Sequence, residues 1–199
     1  PRVPQLTKDA LDPANPPDLE DLNADEVVRW ALEQFHPEIA LACSFQQEES
    51  VLLDLLFAAR AEARVFALDT HVLFPATYAL WTSTEQRYGT TIERFEGPTL
   101  EEQAAAHGDA LWERDPNACC AIRKVEPLGR ALAGLDARIT GVRREQSTTR
   151  ANARKLEWDA AHGLWKVNPL ADWTDKDVWR RIHERDLPYN LLHDRGYAS

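Results

Sequence analysis

The sequence predicts an α/β domain with a parallel sheet covered by helices on both faces, and three observations predict it. Short apolar runs of strand length alternate with helix-length segments. The connections between them are only a few residues long, as in parallel units whose sheet is buried on both sides. Helix starts and stops are marked by capping residues, Pro and Gly where helix ends favour them.

In chain order, residues 1–22 carry five of the twelve prolines (Pro1, Pro4, Pro13, Pro16 and Pro17) with little apolar periodicity, which reads as an extended arm. Asn23 followed by Glu26 reads as a capping box, and Val27, Trp30, Ala31 and Phe35 form a helical stripe that ends before Pro37. A buried strand is expected at Ile39–Cys43, then a polar turn, then a helix with Val51, Leu52, Leu55, Leu56 and Ala59 on one face. Residues 64–68 form a second strand. Pro75 opens a helix that runs to Tyr88 and stops at Gly89. A third strand is expected over 90–95, a helix over 125–134, and a strand over 137–142. His162 and Gly163 mark a turn between short strands, and Thr174 with Asp177 caps a last helix through Val178, Trp179 and Ile182. No repeat or linker divides residues 23–199, which are expected to form one domain.

Composition excludes several classes. A net charge of −10 argues against a general nucleic-acid binder, which is usually basic. No apolar run approaches the roughly 18 residues of a membrane span, and the N-terminus lacks the shape of a signal peptide. A cytoplasmic setting is therefore expected, with no membrane partner. Yet from 123 to 155 nine Lys/Arg face three acids, a local excess of cations that reads either as a solvated face or as a site for an anion. The run is rich in Arg, whose planar fork suits phosphate and sulfate oxygens.

The three cysteines are not a disulfide framework. Cys119 and Cys120 are adjacent, which suits a soft metal, and Arg123 and Lys124 beside them favour thiolates. Cys43 ends an apolar strand and reads as a core residue. In open parallel sheets ligands bind beyond the carboxyl ends of strands, which directs attention to 44–49, 69–74 and 141–150. Ser44 and the N–H groups after it would face an anion at a helix N-terminus, while Glu48 and Glu49 read as ordinary first-turn acids. None of the six histidines has zincin-like spacing, and none is read as a metal ligand.

Several segments in order carry a resemblance: Ser44-Phe45-Gln46-Gln47-Glu48-Glu49, Leu68-Asp69-Thr70 with Leu73-Phe74-Pro75, and Cys119-Cys120-Ala121-Ile122-Arg123-Lys124-Val125-Glu126-Pro127-Leu128. They continue with Thr140-Gly141-Val142-Arg143-Arg144-Glu145-Gln146-Ser147, Arg150, Lys166-Val167-Asn168-Pro169-Leu170, and Leu187-Pro188-Tyr189-Asn190 through Gly196-Tyr197. Over nearly all of 24–199 the chain resembles the adenylyl-sulfate and phosphoadenylyl-sulfate reductases. The resemblance implies a doubly wound, mostly parallel sheet of the adenine-nucleotide alpha-hydrolase (PP-loop) type. It implies catalytic roles for Lys124 and Arg150, and substrate binding by Ser44, Arg143, Arg144 and Arg150. Cys119 and Cys120 match half of the double cysteine pattern that holds a 4Fe-4S cluster, and that pair points to adenylyl sulfate (APS) as substrate. The implied reaction yields sulfite and AMP through an enzyme S-sulfocysteine, with thioredoxin as reductant, in sulfate assimilation. Oligomeric state is left open, a homo-oligomer included.

The chain departs from the family pattern at Gln46, where Gly is usual, at His71-Val72, where Gly-Arg is usual, and at Ser147-Thr148, where Ser-Pro is usual. It ends at Ser199, without the family's second cysteine pair and catalytic tail cysteine, so this sequence alone is expected to hold a cluster poorly or not at all. The competing readings are a phosphoadenylyl-sulfate reductase, an ATP pyrophosphatase-fold adenylyltransferase, and a nucleotide- or metal-binding module.

Overall fold

The apolar run Ile39–Cys43 forms β1, the strand about which the sheet is organised in the computed structural model, which describes residues 7–197. β1 pairs in parallel with β2 (Arg64–Asp69) on one side and β4 (Ala137–Ile139) on the other. β3 (Glu93–Glu96) extends the sheet beyond β2, and β6 (Leu164–Val167) extends it beyond β4. β5 (Leu156–Asp159) lies antiparallel at the edge, giving the order β3-β2-β1-β4-β6-β5. Gly163, at φ 66°, supplies the left-handed residue of the β5–β6 turn. Strands β1 to β3 are added toward one edge of the sheet and β4 onward toward the other, so the order of addition reverses between β1 and β4. That switch point opens a crevice at their carboxyl ends.

Side chains of β1 alternate between two cores, as a strand covered on both faces must. Ile39, Leu41 and Cys43 join the larger core with α1 (Ala24–Phe35), α2 (Gln47–Ala59), α3 (Pro75–Tyr88) and α8 (Asp175–Glu184). Ala40 packs with Phe66, Ala131, Leu132 and Leu164 on the other face, under α7 (Glu126–Leu132). The capping boxes expected at Asn23 and Thr174, and the Pro75 start and Gly89 stop, are present.

Several boundaries differ from expectation for identifiable reasons. The helix expected over 125–134 begins earlier, at α6 (Pro116–Cys120), where Asp115 Oδ1 accepts from Ala118 N–H at 3.0 Å. It passes through a π-helical turn, Ala121–Val125, into α7. Pro127 has no N–H to donate back, so the turn before it widens. β4 stops at Ile139 rather than 142, because Thr140 and Gly141 leave the sheet to form a wall of the crevice. The third strand is Glu93–Glu96. Burial on α2 is not a stripe: every residue from Gln47 to Leu56 is buried, and Ala59 is exposed. Short helices α4 (Leu100–His107) and α5 (Leu111–Arg114) were not anticipated, although Thr99 and Glu102 form a capping box.

Of the expected arm, residues 1–6 lie outside the described residues. The remainder is docked on the body. Leu19 enters the main core. Lys155 is fully buried, its Nζ donating to Glu20 O at 2.9 Å, Leu22 O at 2.7 Å and Asp172 Oδ2 at 2.7 Å. Replacing it with Met leaves those carbonyls without a donor. Lys155→Met is expected to cost about 2–4 kcal/mol in urea unfolding and to make the 7–22 segment an early site of limited proteolysis.

Candidate active site

The loop joining β1 to α2 lines the switch-point crevice. Phe45 adopts φ 61°, unusual for a residue with a side chain, and is held there by burial against Trp81, with ring centroids 5.1 Å apart. Gln46 is extended at φ −82°. The left-handed step falls on Phe45, so the absence of Gly at 46 imposes no backbone strain.

Glu48 and Glu49 are not ordinary first-turn acids, because both are buried. Glu48 Oε1 accepts from Arg143 Nε at 2.9 Å and from Gln146 Nε2 at 3.0 Å. Glu49 makes no salt bridge among the described residues. Its Oε2 accepts from Ser44 Oγ at 2.8 Å and from Gln46 N–H at 2.9 Å. Burial pushes its carboxyl up to about 7, against the opposing pull of the Ser44 and Gln46 hydrogen bonds. The opposite wall abuts these acids closely: a Cβ at Gly141 would overlap Glu49 Oε1 and lie 2.8 Å from Glu48 Cβ.

The basic run resolves by pairing. Arg130 pairs with Glu126, Arg138 with Asp159, Arg144 with Glu20, Arg154 with Asp18, and Lys155 with Asp172. Arg143 is buried among Glu48, Glu145 and Asp175. Among the described residues, Arg123, Lys124 and Arg150 make no salt bridge. Lys124 and Arg150 line one cavity of about 610 Å³ together with Ser44, Gln46, Glu49, Thr70, Thr140 and Gly141. The structure thus brings Ser44, Lys124 and Arg150 to one cavity. Arg143 and Arg144, also expected to bind the substrate, stand in ion pairs with Glu48, Glu145 and Asp175 and with Glu20, and Arg143 lines the groove next to that cavity. A wider groove of about 890 Å³, lined in part by Gln47, Gln146, Arg150, Trp179 and Tyr197, adjoins the cavity. Gln146 connects the groups, since its Oε1 accepts from both Arg143 N–H and Arg150 Nη1.

Cys119 is buried and Cys120 exposed, on successive positions of α6. Neither lines the 610 Å³ cavity. Nearby, Arg123 is buried with Nη1 donating to Thr70 O at 2.7 Å, while its Nε and Nη2 have no partner. Cys43 does reach the cavity, but burial pushes its thiol well above the usual range, and the Glu49 charge adds to that. His71, at φ 59°, gathers with Asp69 and Glu96 so that potential ligand atoms lie within 4.8 Å, an arrangement its spacing did not reveal. The Arg94 guanidinium sits 3.6 Å from Asp69 in the same cluster.

The Phosphoadenosine phosphosulfate reductase domain family matches residues 38–199. Adenosine 5′-phosphosulfate reductase of Geobacillus kaustophilus is 45% identical over 189 residues, covering 94% of this chain and 80% of that protein. The Salinibacter ruber enzyme of the same name is 43% identical over 174 residues, covering 87% of this chain and 69% of its own length. Among solved structures, phosphoadenylyl-sulfate reductase from Candida auris, in a phosphate complex, superposes with a TM-score of 0.81 at 33% identity, over 90% of this chain and 87% of that one. FMN adenylyltransferase from Candida glabrata, with ATP, shares the fold alone, with a TM-score of 0.62 at 16% identity over 88% of this chain and 59% of that one.

Two outcomes test the geometry of the crevice. Gly141→Ala forces the walls apart and is expected to cost about 1–3 kcal/mol of stability, measured by chemical unfolding. The fold favours the protonated form of Glu49, so its contribution to stability is full below the unfolded value of 4.5 and is lost as pH rises through about 7. Across that window Glu49→Gln is expected to remove a fall on the order of 3 kcal/mol from the pH profile of unfolding.

Proposed function

The chain belongs to the phosphoadenosine phosphosulfate reductase domain family, and from that premise we propose that it reduces adenosine 5′-phosphosulfate to sulfite and AMP. The observation that carries this reading is the convergence of Ser44 with two unpaired cations, Lys124 and Arg150, on one cavity at the switch point of the sheet. A phosphosulfate is a compact anion, and such a set of donors suits both the transferring group and the leaving phosphate. The Cys119–Cys120 pair and the names of the curated relatives favour adenosine 5′-phosphosulfate over its 3′-phosphorylated counterpart.

In the proposed reaction a thiolate attacks the sulfate sulfur, the bond from sulfur to the bridging phosphate oxygen breaks, and AMP leaves. The enzyme cysteine is left as an S-sulfocysteine. The dithiol of thioredoxin then releases sulfite and is itself oxidised to a disulfide. Lys124 and Arg150 hold the charge that develops on the leaving phosphate, and Ser44 orients the phosphosulfate. The attacking thiolate is none of the three cysteines here. Cys43 is kept protonated by its surroundings, and the other two lie off the cavity. A cytoplasmic setting belongs to the same reading, supported by three free thiols and by the absence, among the described residues, of a helix long and apolar enough to cross a membrane.

Cys119 and Cys120 fit a 4Fe-4S cluster in charge and by half in number. The orphaned Arg123 guanidinium supplies positive charge for a thiolate-ligated group. Four thiolates are the norm, and no third ligand joins this pair among the described residues. The pair would hold two irons' worth of thiolate ligation, the other two ligands coming from elsewhere. Bound there, the cluster would tune the local field rather than carry electrons.

Calorimetric titration with adenosine 5′-phosphosulfate tests the reading. Lys124→Ala and Arg150→Ala are each expected to raise Kd about ten- to hundredfold, the loss of one charge-assisted hydrogen bond. Arg144→Ala, which loses a partly exposed pair with Glu20 and a hydrogen bond to the Ala153 carbonyl, should leave Kd within about twofold. Equal effects from all three would show that the cavity is not the site. ATP turnover with release of pyrophosphate would point to an adenylyltransferase instead.

A further inference from the structure

The two acids at the start of α2 have different fates. Glu48 has a guanidinium, and Glu49 has a hydroxyl. The Ser44 Oγ–H is committed to Glu49 Oε2, at 2.8 Å, in the ligand-free protein. With the carboxyl ionised, Ser44 can turn only its lone pairs toward the cavity, which repels an anion. With the carboxyl protonated, the direction reverses. Oε2–H donates to Ser44 Oγ while still accepting from Gln46 N–H, and the Ser44 proton is released to point into the cavity.

We propose that Glu49 is a positioning residue that sets the direction of the Ser44 hydroxyl, so that the phosphosulfate end of the substrate binds together with one proton taken up from solvent by this carboxyl. The inference rests on the reading of Ser44 as a phosphosulfate contact. No bond other than those to the proton changes: the proton leaves water, joins Oε2, and the hydrogen-bond chain Glu49–Ser44–anion runs in one direction.

The surroundings support a proton rather than a metal or a basic side chain as the partner. On its own helix Glu49 adjoins Glu48, whose charge is answered by Arg143, a guanidinium that also pairs with Glu145 and Asp175. From β1, Cys43 presents a thiol held neutral by burial. From the segment after β4 come the Gly141 backbone and the neutral Gln146 amide. Lys124 and Arg150 reach the cavity from exposed positions and form no ion pair with Glu49. Burial places the Glu49 carboxyl at about 7, where either form is accessible, and an anion that takes the Ser44 proton selects the protonated one.

Titration of the 199-residue chain with adenosine 5′-phosphosulfate, in pairs of buffers with different ionisation enthalpies, reads the proton directly. Wild type is expected to take up close to one proton per ligand at about pH 8, with Kd rising toward tenfold per pH unit above about 7. Glu49→Gln, whose amide donates to Ser44 at every pH, is expected to bind with no uptake and a flat profile. Ser44→Ala keeps the carboxyl and removes the hydroxyl, so it is expected to bind more weakly and to lose the slope, which keeps the test decisive if Glu49→Gln does not fold. Binding by wild type without proton uptake overturns the inference and leaves the functional reading standing. So does uptake that survives unchanged in Ser44→Ala. No binding by wild type at all overturns the functional reading, and the inference falls with it.

Discussion

Arg143 and Glu48 are withdrawn from water together, the guanidinium from the segment after β4 and the carboxylate from the first turn of α2. Burying two opposite charges costs solvation that only well-formed geometry offsets. Here the geometry is closely satisfied: Nε meets Glu48 Oε1 at 2.9 Å, Nη1 reaches Glu145, Nη2 reaches Asp175, and Gln146 adds a second donor to Glu48. The pair fastens together the two walls of the crevice. It also explains why only Gly serves at 141, since any side chain would press on the two acids. With the Arg143 guanidinium spent on Glu48, Glu49 is left with neutral donors, and burial raises its carboxyl toward neutrality. Two neighbouring residues of the same charge class thereby acquire different chemistry.

The same subtraction organises the rest of the charge. A chain of net charge −10 holds its cations mostly in internal pairs, several made with the N-terminal segment. Asp18 and Glu20 answer Arg154 and Arg144, and the carbonyls of Glu20 and Leu22 receive Lys155. Exposed pairs of this kind contribute little individually, but they remove cations that would compete for an anionic ligand. Of the basic run from 123 to 155, only Arg123, Lys124 and Arg150 make no salt bridge among the described residues, and the last two line the crevice. The field is focused at the switch point, although the protein as a whole is acidic.

Much of the fold was legible because its signals are local. The Ile39–Cys43 run, the Asn23–Glu26 and Thr174–Asp177 caps, and the Pro75 and Gly89 boundaries depend on neighbours within one turn. Ser44, Lys124 and Arg150 were legible as motif positions, and the structure brings them to one cavity. The misreadings share a long-range cause. The ion pairs of Arg143 and Arg144 were not legible, because their partners lie 95 residues away at Glu48 and 124 away at Glu20. Glu48 and Glu49 look like routine first-turn acids because periodicity cannot show that α2 is enclosed by α1, α8 and the sheet. The gathering of His71 with Asp69 and Glu96 was hidden for the same reason, since it needs the β2–β3 pairing.

At Gln46, where the family pattern has Gly, the chain makes its turn without a glycine. A left-handed residue is needed to turn the chain from β1 into α2. Where a family pattern places Gly in that loop, the natural inference is that Gly supplies it. Here Phe45 takes φ 61° and is kept there by the Trp81 ring, so packing does what glycine's freedom would otherwise do. Position 46 is then free to carry a side chain, and Gln46 does two things at once. Its backbone N–H holds Glu49 Oε2, and the residue itself lines the cavity. The strain at Phe45, the hydrogen bond at Gln46 and the buried carboxyl at Glu49 are therefore parts of one turn, and the position of Ser44 within it follows from all three.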